Sequence, residues 1–140
     1  MKKAKIAKLV SSILLAIIPA TSMATLTVYN YTNEDSSVKV TSGILYPCSM
    51  DAGVYTPKMS PDGTPGYSKV SDTEINILCK TSKNNLCTAN LYASKNCSGK
   101  IIGNAALDLK TKSVMSVVLT DTKYSFDVSS NGTVLRINYS

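Results

Sequence analysis

The chain has 140 residues, 44% of them hydrophobic and 17% charged, enough for one domain with a modest core. It contains no His and no Trp, so the commonest general base at neutral pH and the commonest neutral metal ligand are both missing, and histidine-dependent chemistry is excluded. The formal charge is +6, but Lys2, Lys3, Lys5 and Lys8 all precede the first apolar run, and a basic nucleic-acid-binding face loses its main support once they are set aside.

Leu9 to Ile18 is an apolar stretch broken only by Ser11 and Ser12, followed by Pro19 and then Ser22-Met23-Ala24, with small residues at the two positions a signal peptidase reads. Residues 1–24 therefore read as a secretory signal peptide cleaved after Ala24. A membrane anchor needs ~20 apolar residues to cross the hydrocarbon, about twice this run. The short basic and apolar regions fit a Gram-negative exporter. The expected mature chain, residues 25–140, has a net charge of +2, no transmembrane segment and a secreted or periplasmic location.

Beyond residue 24, apolar and polar residues alternate in short runs and no window shows a helical period. Strands are predicted over Thr25–Tyr31, Ser37–Thr41, Glu74–Lys80, Leu86–Ser94, Lys100–Leu109, Val114–Thr120, Tyr124–Ser129 and Thr133–Tyr139. Turn-forming clusters separate them, the sharpest being Asn131-Gly132, which suits a tight hairpin. The fold class implied is all-β, an antiparallel Greek-key sandwich in a single domain. The tract from Tyr46 to Tyr67 holds Pro47, Pro57, Pro61 and Pro65, which lack the N–H that a ladder needs, so it is expected to be a long surface loop pinned near Cys48. Ser, Thr and Asn make up 39 of the residues after Ala24, as if covering an outward sheet face, and the scarcity of Phe leaves Tyr as the core aromatic.

Four cysteines, Cys48, Cys79, Cys87 and Cys97, would meet an oxidising compartment and pair as two disulfides. Their spacing lacks the close pairs of a zinc site. If Glu74–Lys80 and Leu86–Ser94 form a hairpin, Cys79 faces Cys87. Strand parity, which puts Cys87 on the core side with Ala89 and Leu91, favours Cys87 with Cys97 and Cys48 with Cys79 instead.

The segment Tyr92-Ala-Ser-Lys-Asn-Cys97-Ser-Gly99-Lys100 resembles the folded-hairpin signature of βγ-crystallin-type Greek-key domains, although that family has an aromatic residue where this chain has Cys97. Ser113 to Val118 resembles the family's closing strand, but Thr111-Lys112 stands where an acidic or amide pair is expected, which would cripple a calcium site there. Asn33 to Val40 resembles a second half-motif, with Asn33, Glu34, Asp35 and Ser37 as oxygen ligands. A hard cation wants six to eight oxygens, so weak or no calcium binding is expected. The resemblance also requires a positive φ at Gly99. Separately, Gly132 to Ser140, with alternating apolar positions and a penultimate tyrosine, resembles the closing strand of chaperone–usher pilus subunits, which implies a docking strand.

None of the carboxylates Glu34, Asp35, Asp51, Asp62, Asp72, Glu74, Asp108, Asp121 and Asp127 forms a recognisable acid–base pair with a nucleophile, and there is no phosphate loop or metal-ligand cluster. No cofactor and no enzymatic activity are expected. Charge is uneven: residues 25–75 carry a net −3 and residues 76–140 a net +5. In a meander, alternate turns emerge at one end, which would gather Lys80, Lys83, Lys110 and Lys112 on one rim and put Lys95 and Lys100 on the other. Such lysines either keep sheet edges apart or bind an anionic lipid headgroup or acidic glycan. The reading is a secreted, non-catalytic binding protein, an exported factor that engages an anionic surface or a protein. Alternatives are a small inhibitor of secreted hydrolases, making contact through Tyr46–Tyr67, and a subunit of a pilus-like surface assembly.

Overall fold

The computed structural model describes residues 26–140, so the signal peptide over residues 1–24 and its cleavage site lie outside the described residues. Eight strands build two four-stranded sheets: β1 (Leu26–Asn30), β2 (Ser37–Val40), β3 (Gly66–Val70), β4 (Leu86–Tyr92), β5 (Ile101–Asp108), β6 (Ser113–Leu119), β7 (Tyr124–Val128) and β8 (Val134–Tyr139). One sheet has the order β3-β1-β8-β7 and the other β2-β4-β5-β6. Alternation decides which side chains turn inward. Leu91 and Ile102 from one sheet meet Tyr124, Leu135 and Ile137 from the other, and Tyr124 is the core aromatic expected in place of Phe. A second apolar cluster joins Val40, Val70 and Cys87 to Val54, Ile75, Leu78 and Cys79.

Three elements differ from the sequence reading. Glu74–Lys80 is not a strand: Asp72–Leu78 forms helix α1. Ile75, Ile77 and Cys79 alternate like a strand, but Ser71 accepts from the Glu74 N–H at 3.2 Å while the Glu74 carboxylate accepts from the Ser71 N–H at 2.9 Å. That reciprocal cap starts a helix whose buried residues, Ile75 and Leu78, are three apart. The Tyr46–Tyr67 tract is not a free loop either. It holds a 3-10 turn at Ser49–Ala52, bridges Ser36 to Thr56 and Lys39 to Cys48, and sends Val54 into the core before entering β3. Finally, β1 runs parallel to β8, pairing Thr27 with Val134 and Asn30 with Ile137, where an antiparallel sheet is expected throughout. The intervening chain supplies the long connection that parallel neighbours need.

The disulfides join Cys79 to Cys87 and Cys48 to Cys97, correcting the pairing that strand parity favours. The parity argument places Cys87 rightly, since it is buried, but the end of α1 brings Cys79 beside it while Cys97 turns away with a φ of +56°. Among the described residues no cysteine is free. Gly99, two residues on, has the positive φ expected of it, +81°. In the β7–β8 connection only Gly132 of the Asn131-Gly132 pair takes a positive φ, and Asn131 Oδ1 instead accepts from Ser129 and Thr133. Strand β8 is paired on both sides, so it presents no open ladder for docking. No helix among the described residues is long and apolar enough to cross a membrane.

Candidate binding rim

Strand direction sorts the turns into two ends. β4 starts where β5 finishes, Leu86 opposite Asp108, so the α1–β4 turn and the β5–β6 turn lie side by side, tied by Leu109 N–H donating to Asn85 O at 2.8 Å. Asn84 and Asn85 both adopt positive φ to make that tight reversal, a conformation asparagine tolerates. The β2 strand runs antiparallel to β4 and delivers its following loop to this same end, with Thr41 N–H donating to Thr88 O at 2.8 Å. Lys80 and Lys83 flank the first turn, and Lys110 and Lys112 lie in the second. Lys80, Lys83 and Lys110 are exposed, while Lys112 is half-buried and donates through Nζ to Leu109 O at 2.8 Å. The only carboxylate in the β5–β6 reversal, Asp108, accepts from the Lys110 N–H at 2.8 Å.

At the opposite end Lys95, Lys100 and Lys123 have partners, while Lys58 is exposed and enters no ion pair among the described residues. Lys100 meets Asp121 at 3.1 Å, and Lys123 meets Glu34 at 3.4 Å. None of the four rim lysines enters these ion pairs or the third, Arg136 with Asp127. Lys95 caps the ring of Tyr55 at 4.7 Å. Glu34 Oε1 also accepts from the Tyr124 hydroxyl at 2.8 Å and from Tyr139 at 3.2 Å. The Tyr124 hydrogen bond leads, with Tyr139 and Lys123 adding to it, in holding the Glu34 carboxyl below its usual range. Burial, together with that carboxylate, pushes the Tyr124 phenol up.

The calcium candidates do not converge on a cage. Glu34 is committed to tyrosines and Lys123, Asn33 Oδ1 accepts from Tyr139, Asp35 Oδ1 accepts from Lys58 N–H at 2.9 Å, and Ser37 Oγ accepts from Cys97 N–H at 2.8 Å. Among the described residues no group of three or more His, Cys, Asp or Glu is placed to hold a metal. The other carboxylates are likewise occupied. Asp51, Asp62, Glu74, Asp108 and Asp121 each accept a backbone N–H two or three residues away, which is capping and turn chemistry.

Two features of the structure are not expected from the sequence. The first is inside: Asn30, Thr32, Ser36, Ser37, Ser49 and Thr56 are buried rather than covering an outer face. They satisfy one another and the backbone, as in Thr32 Oγ1 donating to Asn30 Oδ1 at 2.7 Å and Ser49 Oγ accepting from Val38 N–H at 3.1 Å. An apolar cavity of about 120 Å³ lies between the sheets, and the hydroxyls at its margin are already engaged in this way. The second is at the rim, where Ile44, Leu45 and Tyr46 stand out from the β2 loop with 76%, 57% and 51% of their surface exposed. Three successive large apolar residues between Gly43 and Pro47, too few for a strand, were the available signal.

No family model matches this chain, and no curated protein matches it. Its fold is similar to the crystal structure of NttC, a type II secretion system substrate of Legionella pneumophila, with a TM-score of 0.61 and 21% identity over 84% of this chain and 99% of that one.

Proposed function

We propose that this is an exported, non-catalytic binding protein whose Lys80, Lys83, Lys110 and Lys112 end engages an anionic surface. The observation that carries the reading is the clustering of charge: Lys95, Lys100 and Lys123 at the opposite end meet a ring or a carboxylate, and Lys39, Lys58 and Lys69 lie singly on β2, in the proline-rich tract and on β3, whereas these four lysines crowd two adjacent turns and enter no ion pair among the described residues. Export is supported by the signal-like amino terminus, by two disulfides of the kind that persist in oxidising compartments, and by the likeness to a type II secretion substrate. A non-catalytic role is supported by the carboxylates, most of which serve caps, turns and ion pairs. The hydrolase-inhibitor reading is less favoured, because the Tyr46–Tyr67 tract is anchored in the domain by the buried Ser49, Val54, Thr56 and Gly66, which leaves residues 60–64 as its one continuous exposed run of more than one residue. Each lysine near an anionic surface contributes roughly 1 kcal/mol, so four give weak adhesion rather than a tight complex. Replacing all four by Ser is expected to abolish association with phosphatidylserine vesicles or acidic glycans in low salt while leaving the melting temperature nearly unchanged. Equal binding by both proteins, or by neither, makes the rim a solubilising edge.

A further inference from the structure

We infer that the occupant of the lysine rim is a lipid bilayer with anionic headgroups, and that the Ile44-Leu45-Tyr46 tip inserts into its interface; this rests on the reading that the rim engages an anionic surface.

Scattered exposed apolar residues need no explanation, but three in succession at a loop tip do. This tip does not hang loose. The loop leaves β2 with Val40 N–H donating to Pro47 O at 2.9 Å across its base, and Ser42 Oγ meets Ser82 Oγ at 2.6 Å. Ile44 N–H donates to Thr81 Oγ1 at 3.1 Å. Gly43, with φ +81°, lies so close to the Thr81 backbone that a Cβ there would collide with it. Bound to the α1–β4 turn in this way, the loop holds its three apolar side chains away from the core. Behind the turn, the Cys79–Cys87 disulfide fixes the end of α1 to β4.

Thr81 and Ser82, which anchor the tip, lie between Lys80 and Lys83, so the apolar residues and the cations share one surface. Leu86 and Met115 add exposed apolar area beside Lys110. Interfacial attachment to membranes uses this combination: apolar side chains reach the acyl boundary, an aromatic ring with a polar tip sits at headgroup level, and cations attract anionic lipids. An acidic glycan would use the lysines and leave Ile44 and Leu45 in water. A bilayer uses both sets.

The chain has no Trp, so Leu45→Trp gives a single fluorescent reporter at the tip. Its emission is expected to shift to the blue on phosphatidylcholine vesicles containing phosphatidylserine, and bromine-labelled acyl chains should quench it. Ile44→Ser/Leu45→Ser is expected to keep the melting temperature and to lower vesicle partitioning about tenfold or more, since apolar contact and charge act together at an interface. It should leave binding to an acidic glycan such as heparin unchanged. If the wild-type chain binds vesicles in a lysine-dependent way but L45W shows no shift and the double Ser variant binds equally, insertion is overturned while the rim reading stands. If the wild-type chain fails to bind phosphatidylserine vesicles in low salt, insertion falls, and heparin binding then decides whether the rim reading falls with it.

Discussion

Glu34 does more structural work than its place in a polar β1–β2 loop would indicate. Its carboxylate gathers Tyr124 from the core, Tyr139 from the last strand and Lys123 from the β6–β7 turn, tying three segments distant in sequence. Because these donors favour the ionised form, the folded-state pKa lies below the ordinary 4.5, and the unfolded chain takes up the proton first as pH falls. The stabilisation is therefore complete above about pH 4.5, the unfolded value, and drains away as the pH descends through the folded one. Glu34→Gln should melt lower than the wild type at pH 7, with the gap closing as pH drops below 4.5. A gap that is constant with pH would show that the hydrogen bonds matter and the charge does not. The same residue explains why a calcium reading of Asn33, Glu34, Asp35 and Ser37 looks plausible in sequence: the oxygens are there, and what spacing cannot reveal is that distant tyrosines, Lys58 and Cys97 have claimed them.

At the scale of elements, the seven strands predicted outside Glu74–Lys80 are present with ends shifted by no more than two residues, because alternation and the flanking turn residues agree in each. Where two signals conflicted, the local one prevailed. Ile75, Ile77 and Cys79 alternate, yet Ser71 and Glu74 stand at capping-box spacing, and the cap decides for α1. Strand β3 begins two residues inside the proline-rich tract, and pairing with β1 rescues it, Tyr29 against Tyr67 at a ring distance of 6.4 Å. Such a partner far along the chain leaves no local mark. The cysteine pairing was hidden for the same reason, since it follows from α1 and from the backbone reversal at Cys97. The Cys48–Cys97 bridge spans 49 residues, which on loop-closure grounds stabilises by about 4 kcal/mol, against about 2.5 kcal/mol for the bridge spanning 8. Replacing Cys48 and Cys97 by Ala together should cost about 4 kcal/mol in denaturant unfolding. A loss below about 1 kcal/mol would mean that the strand ladders alone restrain the proline-rich tract.

Across the whole molecule, the two ends of the sandwich have opposite characters. One closes on ion pairs, buried hydroxyls and the Glu34 latch; the other combines lysines with an apolar tip. The lysine end was partly legible in the sequence, because turn alternation depends only on strand count, and the adjacency of Asn85 and Leu109 follows from it. The apolar tip was not, because three hydrophobic residues before a proline have no period and acquire meaning only when Thr81 and Ser82 hold them outward. The proposed docking sets the lysine end against a membrane, and amide hydrogen exchange with and without phosphatidylserine vesicles reads that directly. Exchange is expected to slow at residues 42–46, 81–85 and 109–112 and to stay unchanged around Glu34 and Lys123. Protection centred on the Glu34 end, or spread evenly over both sheets, would contradict it.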